Sequence, residues 1–156
     1  MRQYHTFGEY IKLHELSPSE EDYIEMIYRL QLTNDGVKVV ELASSLNVSK
    51  PSVSKMVKRL QSKDLLVHEH YGDIRLNDKG EKIGQSLLDR HNTVEEFFRI
   101  IGVTNNLHDE TEKIEHTLSI ETLGCIMTFV NFFKENEDIL DEYNNYISEK
   151  INFNKK

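Results

Sequence analysis

One cysteine, Cys125, in 156 residues excludes an internal disulfide framework and fits a reducing cytoplasm. No run approaches the roughly 18 apolar residues that a membrane span requires, and Met1-Arg2-Gln3-Tyr4-His5 lacks the apolar region of a signal peptide. A cytoplasmic location without a membrane partner is therefore expected. No internal repeat or low-complexity segment occurs, and no net positive charge, the formal balance being −8. What is present is ordinary globular composition, 38% apolar and 29% charged, enough for one or two small domains with a real core. Cys125 sits in the apolar stretch 120–133 and is expected to be a small buried hydrophobe rather than a ligand or nucleophile.

The acidic balance argues against a nucleic-acid partner until it is divided along the chain. From Val37 to Arg90 there are ten Lys/Arg against seven Asp/Glu, a local +3, and the remainder carries −11. Phosphate contacts need only a local positive face, provided the acidic remainder points away or is neutralised by cations.

Residues 1–17 read as a leader, a short helix or arm with apolar spacing at Tyr4, Phe7 and Ile11. Ser19 is expected to cap a helix to about Thr33, with Glu20, Glu21 and Asp22 complementing its dipole and Tyr23, Ile27 and Leu30 as core stripe. Thr33-Asn34-Asp35-Gly36 breaks it, Val37–Val40 is a strand stub, Glu41–Leu46 a short helix, and Asn47 marks a turn. Ser49 then caps a helix with Pro51 in its first turn and Val53, Met56, Val57 and Leu60 buried, which leaves Lys50, Ser52, Ser54, Lys55 and Lys58 on the other face. Leu65–His70 and Asp73–Leu76 read as strands around Tyr71-Gly72, a wing carrying Arg75. Taken separately, these are an amphipathic helix with solvated lysines and an unrelated hairpin. Their order is that of a winged helix-turn-helix, with Lys50, Pro51, Ser52, Ser54, Lys55, Lys58 and Arg75 as the DNA-contacting set.

Asn77 begins a helix of about 25 residues to Ile101, closed by Gly102. After a polar loop come a short helix holding Glu112, an apolar helix over Ser119–Glu135 and an acidic helix over Glu137–Lys150, with a frayed tail. The predicted fold is mainly α: a leader (1–17), a winged helix-turn-helix domain with a small β-hairpin wing (18–77), a connecting helix (78–102) and an all-α dimerisation domain (103–156). The last segment exposes more apolar helix face than it can bury alone, so Leu123, Ile126, Phe129, Val130 and Phe133 are expected at a homodimer interface.

Three clusters carry candidate metal chemistry. In Glu112-Lys113-Ile114-Glu115-His116, two carboxylates and an imidazole three and four residues apart stack on one helix face. Asp22 and Glu25 repeat the helical spacing, and His91 lies on the long helix. Singly, Asp22 and Glu25 read as dipole complements and His91 as a packed or surface histidine. Gathered into one site, four carboxylates around two imidazoles carry −4, a charge that two divalent ions balance. Hard oxygens with imidazole suit Mn²⁺, Fe²⁺ or Zn²⁺.

The segments Pro18–Glu25, Val53–Val57, Lys79–Gly84, Arg90-His91, Phe97–Val103 and Glu112–His116 together resemble the manganese transport regulators (MntR-like) of the diphtheria toxin repressor class. The resemblance runs from about Ser17 to the C-terminal helix. It implies a binuclear site of Asp22, Glu25, His91, Glu112, Glu115 and His116. Asp22, His91, Glu112 and Glu115 would hold one ion; Glu25, His116 and a shared Glu115, with backbone help, would hold the other. Iron-responsive members have Met and Cys where this chain has Asp22 and Glu112, and they continue into a third, SH3-like domain. Oxygen ligands there shift the preference toward Mn²⁺, two ions per subunit, although Fe²⁺, Co²⁺, Zn²⁺, Cu²⁺ or Cd²⁺ can bind in vitro.

The implied function is a homodimeric, manganese-activated repressor of metal-uptake genes that binds palindromic duplex operators and takes no small organic substrate. The alternatives are an iron- or zinc-responsive repressor of the same fold, a metal-independent winged-helix regulator, and a di-metal hydrolase. No separate nucleophile or oxyanion donor stands out to support the hydrolase.

Overall fold

The computed structural model describes residues 15–68 and 72–151, which form seven helices and one two-stranded antiparallel hairpin. The expected leader helix, with Tyr4, Phe7 and Ile11, the wing tip at Tyr71 and the frayed tail beyond residue 151 lie outside the described residues. The chain divides into two compact units, Met1–Leu88 and Asp89–Lys156. The boundary falls within the long helix.

In the first unit, α1 (Pro18–Gln31) starts from Ser17, not Ser19. The Ser17 hydroxyl accepts the Glu20 amide at 3.3 Å and the Glu20 carboxylate accepts the Ser17 amide at 2.8 Å. Pro18, which has no amide to satisfy, fits the position between them and sets the register of this reciprocal box. The strand stub expected at Val37–Val40 is only a bridge: Val37 donates to and accepts from Ile74, at 3.0 and 2.8 Å, and α2 (Val39–Ser45) follows at once. The α2 helix ends with Asn47 at φ 53°. The Val48 amide reaches back to the Ala43 carbonyl at 3.0 Å and that of Asn47 to Ser44 at 3.2 Å. A short polar side chain tolerates this left-handed position, and the turn between the two helices is built on it.

Ser49 caps α3 (Lys50–Ser62), its hydroxyl accepting the Ser52 amide at 3.3 Å. Strands β1 (Leu66–His68) and β2 (Ile74–Leu76) pair with Leu66 opposite Leu76 and His68 opposite Ile74. This register points Leu66, Ile74 and Leu76 into the core and leaves Val67 and Arg75 outside. Tyr23, Ile24 and Ile27 of α1 join Val53, Val57 and Leu60 of α3 in one buried cluster. The N-terminal half of helix α4 (Asp78–Ile100) belongs to this unit and packs closely within it: a Cβ at Gly80 would lie 2.0 Å from the Leu65 carbonyl oxygen, and one at Gly84 2.6 Å from Tyr28 Cβ. Only glycine allows that approach.

In the second unit, α4 ends as expected on Gly102, at φ 94°, with Val103 N donating to Phe98 O at 2.9 Å. Then come α5 (Leu107–Glu115), α6 (Ile120–Glu135) capped by Ser119, and α7 (Glu137–Ile151). Ile100, Ile126, Val130 and Phe133 form the core of this unit, flanked by Phe97, Leu118, Phe129, Leu140 and Tyr143. Cys125, expected to be buried, is exposed. Because α6 is apolar almost all round, hydrophobicity alone does not say which face turns inward.

Candidate metal centre and nucleic-acid interface

The C-terminal half of α4 and the whole of α5 carry the donor groups of the second unit. On α4, His91 and Glu95 are four residues apart and share a face; on α5, His108, Glu112 and Glu115 form one stripe. His116 caps α5 with a still helical backbone, φ −77° and ψ −12°. Where the stripes meet, His91 Nδ1 lies 3.1 Å from Glu115 Oε2 and 3.5 Å from Glu112 Oε1. His91 Nε2 lies 3.3 Å from Glu95 Oε2, and His108 Nε2 lies 3.6 Å from Glu112 Oε1. His116 Nε2 is 3.8 Å from Glu115 Oε1. Its Nδ1 is 3.1 Å from Arg90 Nη2; guanidinium can only donate, so that nitrogen accepts.

Of the six ligands expected from sequence, His91, Glu112, Glu115 and His116 thus come together within the second unit. Asp22 and Glu25 lie on α1 of the first unit, where Glu25 accepts from Arg29 Nε at 2.9 Å. Sequence reasoning missed Glu95 and His108, whose donor atoms lie within 4.8 Å of each other and of His91. Their signal was present, since each stands four residues from an expected ligand, but such spacing is common on solvated helices.

The donor chemistry fits a divalent ion of intermediate hardness. The cluster offers carboxylate oxygens and imidazole nitrogens and no thiolate, a set that suits Mn²⁺, Fe²⁺ or Zn²⁺ over softer ions. Burial of Glu115 and His91 among like donors adds to this, because buried carboxylates are retained only where hydrogen bonds or cations compensate them.

The first unit supplies a face of different character. Lys50, Pro51, Ser52, Ser54, Lys55 and Lys58 are all exposed on α3, opposite the buried Val53, Val57 and Leu60. Arg75 projects from β2 and is held by Asp35, at 2.8 Å (Nη1 to Oδ1) and 3.1 Å (Nη2 to Oδ2). The paired guanidinium holds the Asp35 carboxyl below the ordinary carboxylate range. None of the expected interface residues is exposed: Leu123, Ile126, Val130 and Phe133 are buried within the protomer and Phe129 is half-buried, whereas Phe132, Ile139 and Tyr146, outside the expected set, are exposed.

Residues 15–74 match the family described as "Iron dependent repressor, N-terminal DNA binding domain", and residues 77–143 match "Iron dependent repressor, metal binding and dimerisation domain". The chain is 40% identical over 134 residues to the HTH-type transcriptional regulator MntR of Oceanobacillus iheyensis, a match that covers 85% of this chain and 91% of that protein. Among solved structures it is similar to the manganese regulator SloR, with TM-score 0.64 and 31% identity over 75% of this chain and 55% of that one. It is also similar to ScaR with bound Zn²⁺, with TM-score 0.62 and 30% identity over 72% of this chain and 54% of that one. The chain therefore spans about half the length of these two solved proteins.

Proposed function

The chain belongs to the iron-dependent repressor family, and from that premise we propose that it is a manganese-activated, DNA-binding transcriptional repressor of metal-uptake genes, and not an enzyme. The observation that carries this reading is the coexistence in one chain of the exposed basic face of α3 and the buried His91–Glu115 donor pair. The similarity to the MntR of Oceanobacillus iheyensis supports manganese as the effector.

In the proposed mechanism, Lys50, Ser52, Ser54, Lys55 and Lys58 present donors to the major groove and its phosphates, and Pro51 shapes the first turn of the helix that carries them. Arg75, in the wing, approaches the DNA backbone or the minor groove. The full ligand set would comprise His91, Glu112, Glu115 and His116 with Asp22 and Glu25 from the first unit, and it would hold two ions per subunit. Bound divalent ions supply charge neutralisation and a fixed geometry among ligands from separate helices. Self-association uses α6 and α7, where Phe132, Ile139 and Tyr146 remain exposed beside the buried Leu123, Ile126, Val130 and Phe133 and the half-buried Phe129. A symmetric dimer would read two half-sites of a palindrome about one turn or a multiple apart.

An iron- or zinc-responsive repressor is the second reading, favoured by the two imidazoles of the His91, Glu95 and His108 group. Selection of duplexes from a random pool with and without Mn²⁺, then anaerobic titration of the selected duplex with Mn²⁺, Fe²⁺ and Zn²⁺, tests both. Enrichment only with metal, and half-saturation at the lowest free concentration relative to availability for Mn²⁺, is the expected result. Equal enrichment without metal would exclude either reading.

A further inference from the structure

In the first unit, Glu20 is 1% exposed although it stands in the first turn of α1, where an acidic residue ordinarily faces solvent. Its carboxylate does more than complement the helix dipole. Oε2 accepts the Ser17 amide at 2.8 Å and the Lys63 ammonium at 3.1 Å. Oε1 lies 2.7 Å from Arg59 Nε and 2.9 Å from Lys63 Nζ, contacts that are ionic and out of hydrogen-bond alignment. Arg59 belongs to the last turn of α3 and Lys63 is its C-cap, so one buried carboxylate holds the far end of the helix whose other residues present the basic face.

Two kinds of contact therefore join α1 to α3. The apolar one, Tyr23, Ile24 and Ile27 against Val53, Val57 and Leu60, is non-directional and tolerates rotation and sliding of one helix on the other. The ionic one is localised at one end of the 13-residue α3 and includes one directional, charge-assisted hydrogen bond, from the Lys63 ammonium to Oε2. Asp22 and Glu25 lie two and five positions beyond Glu20 on the same rigid helix.

We propose that Glu20 is a positioning residue that couples metal to DNA: by clamping Arg59 and Lys63, it makes α3 follow α1, so that ordering α1 through Asp22 and Glu25 orients the DNA-reading face. The inference rests on the proposed metal-dependent reading. It assigns neither a ligand nor a DNA contact to Glu20.

The test compares full-length wild type with Glu20→Gln, which keeps shape and removes the charge. Mn²⁺ affinity is measured without DNA by calorimetry, and affinity for the selected duplex is measured with and without saturating Mn²⁺. The expected result is unchanged Mn²⁺ affinity in the absence of DNA, with the Mn²⁺-driven gain in duplex affinity reduced at least about tenfold, of the order of an allosteric coupling. Because coupling is reciprocal, the tightening of Mn²⁺ binding by the duplex should fall by the same factor. If Glu20→Gln lowers duplex affinity by the same factor with and without Mn²⁺, Glu20 is merely structural and the inference is overturned. Should that variant fail to fold, Arg59→Gln leaves Lys63 in place. The ratio of affinities with and without Mn²⁺ cancels any direct phosphate contact of Arg59, and an unchanged ratio again overturns the inference. A wild type indifferent to Mn²⁺ would overturn the metal-dependent reading itself, which separates the two failures.

Discussion

His91 and Glu115, 24 residues apart, meet with Nδ1 and Oε2 at 3.1 Å and with side chains only 2% and 1% exposed. One contact ties α4 to α5 within the second unit and brings together two of the proposed ligands. Structural and ligating roles can be separated by substitution. Glu115→Gln keeps an acceptor for the imidazole and removes the charge, so it should leave the melting temperature nearly unchanged while weakening Mn²⁺ binding at least about 100-fold, beyond the range of outer-shell substitutions. Glu115→Ala should also lose about 1–3 kcal/mol of stability by stranding the buried donor. Thermal melts and calorimetric titration of the two variants check both halves; wild-type Mn²⁺ affinity in Glu115→Gln would remove Glu115 from the ligand set.

Glu95 lies at the other ring nitrogen of His91, and the His108 ring centroid is 5.2 Å from that of His91. Nitrogen-rich sets favour Zn²⁺ and Co²⁺ over Mn²⁺. The Glu95→Gln/His108→Ala double variant should therefore lose Zn²⁺ affinity by at least about tenfold while retaining Mn²⁺-dependent duplex binding. Competition titrations with a chromophoric chelator measure it, and parallel losses for both ions would make these residues part of the main site.

For the DNA face, Lys55→Ala or Lys58→Ala should weaken binding to all duplex sequences and reduce the slope of log K against log salt by about 0.9 for each phosphate left without its lysine. An unchanged slope would place the phosphate backbone elsewhere.

Glu20 sets an acid limit on the first unit. Burial pushes its carboxyl up, but the Ser17 amide, the Lys63 ammonium and the Ser17 hydroxyl outweigh that and hold it at about 2, below its usual 4.5. The folded state thus binds this proton less readily than the unfolded chain, and the resulting stability is fully present above about 4.5 and is lost as pH falls toward 2. Chemical denaturation from pH 6 to pH 3 should show a steeper loss for wild type than for Glu20→Gln, and parallel curves would show that the clamp is absent in solution.

Several elements were legible from sequence because their determinants are local. Ser49 and Ser119 begin helices by accepting an amide three residues on, and Asn47 and Gly102 end them by entering left-handed backbone. The alternation of Leu66, Ile74 and Leu76 with Val67 and Arg75 likewise announces a hairpin with one buried face. At the start of α1 the local signal is ambiguous by two residues, since Ser17 and Ser19 flank the same proline.

The residues that sequence misjudged are those whose environment is made by distant partners. Cys125 lies on a helix apolar on nearly every side, so only the packing of Ile126, Val130 and Phe133 against Ile100 decides that Cys125 faces out. Glu20 is one more acidic residue in a first helical turn until Arg59 and Lys63 arrive from the end of α3. Glu95 and His108 are ordinary helix-surface residues until α4 and α5 bring them to His91. Sequence alone determined the helices, the wing, the basic face and the types of donor available, because hydrogen-bonded caps and side-chain periodicity act within a few residues. Tertiary structure alone decided which donors meet and which charges are buried, because electrostatic and packing energies depend on distances in space that chain spacing does not encode.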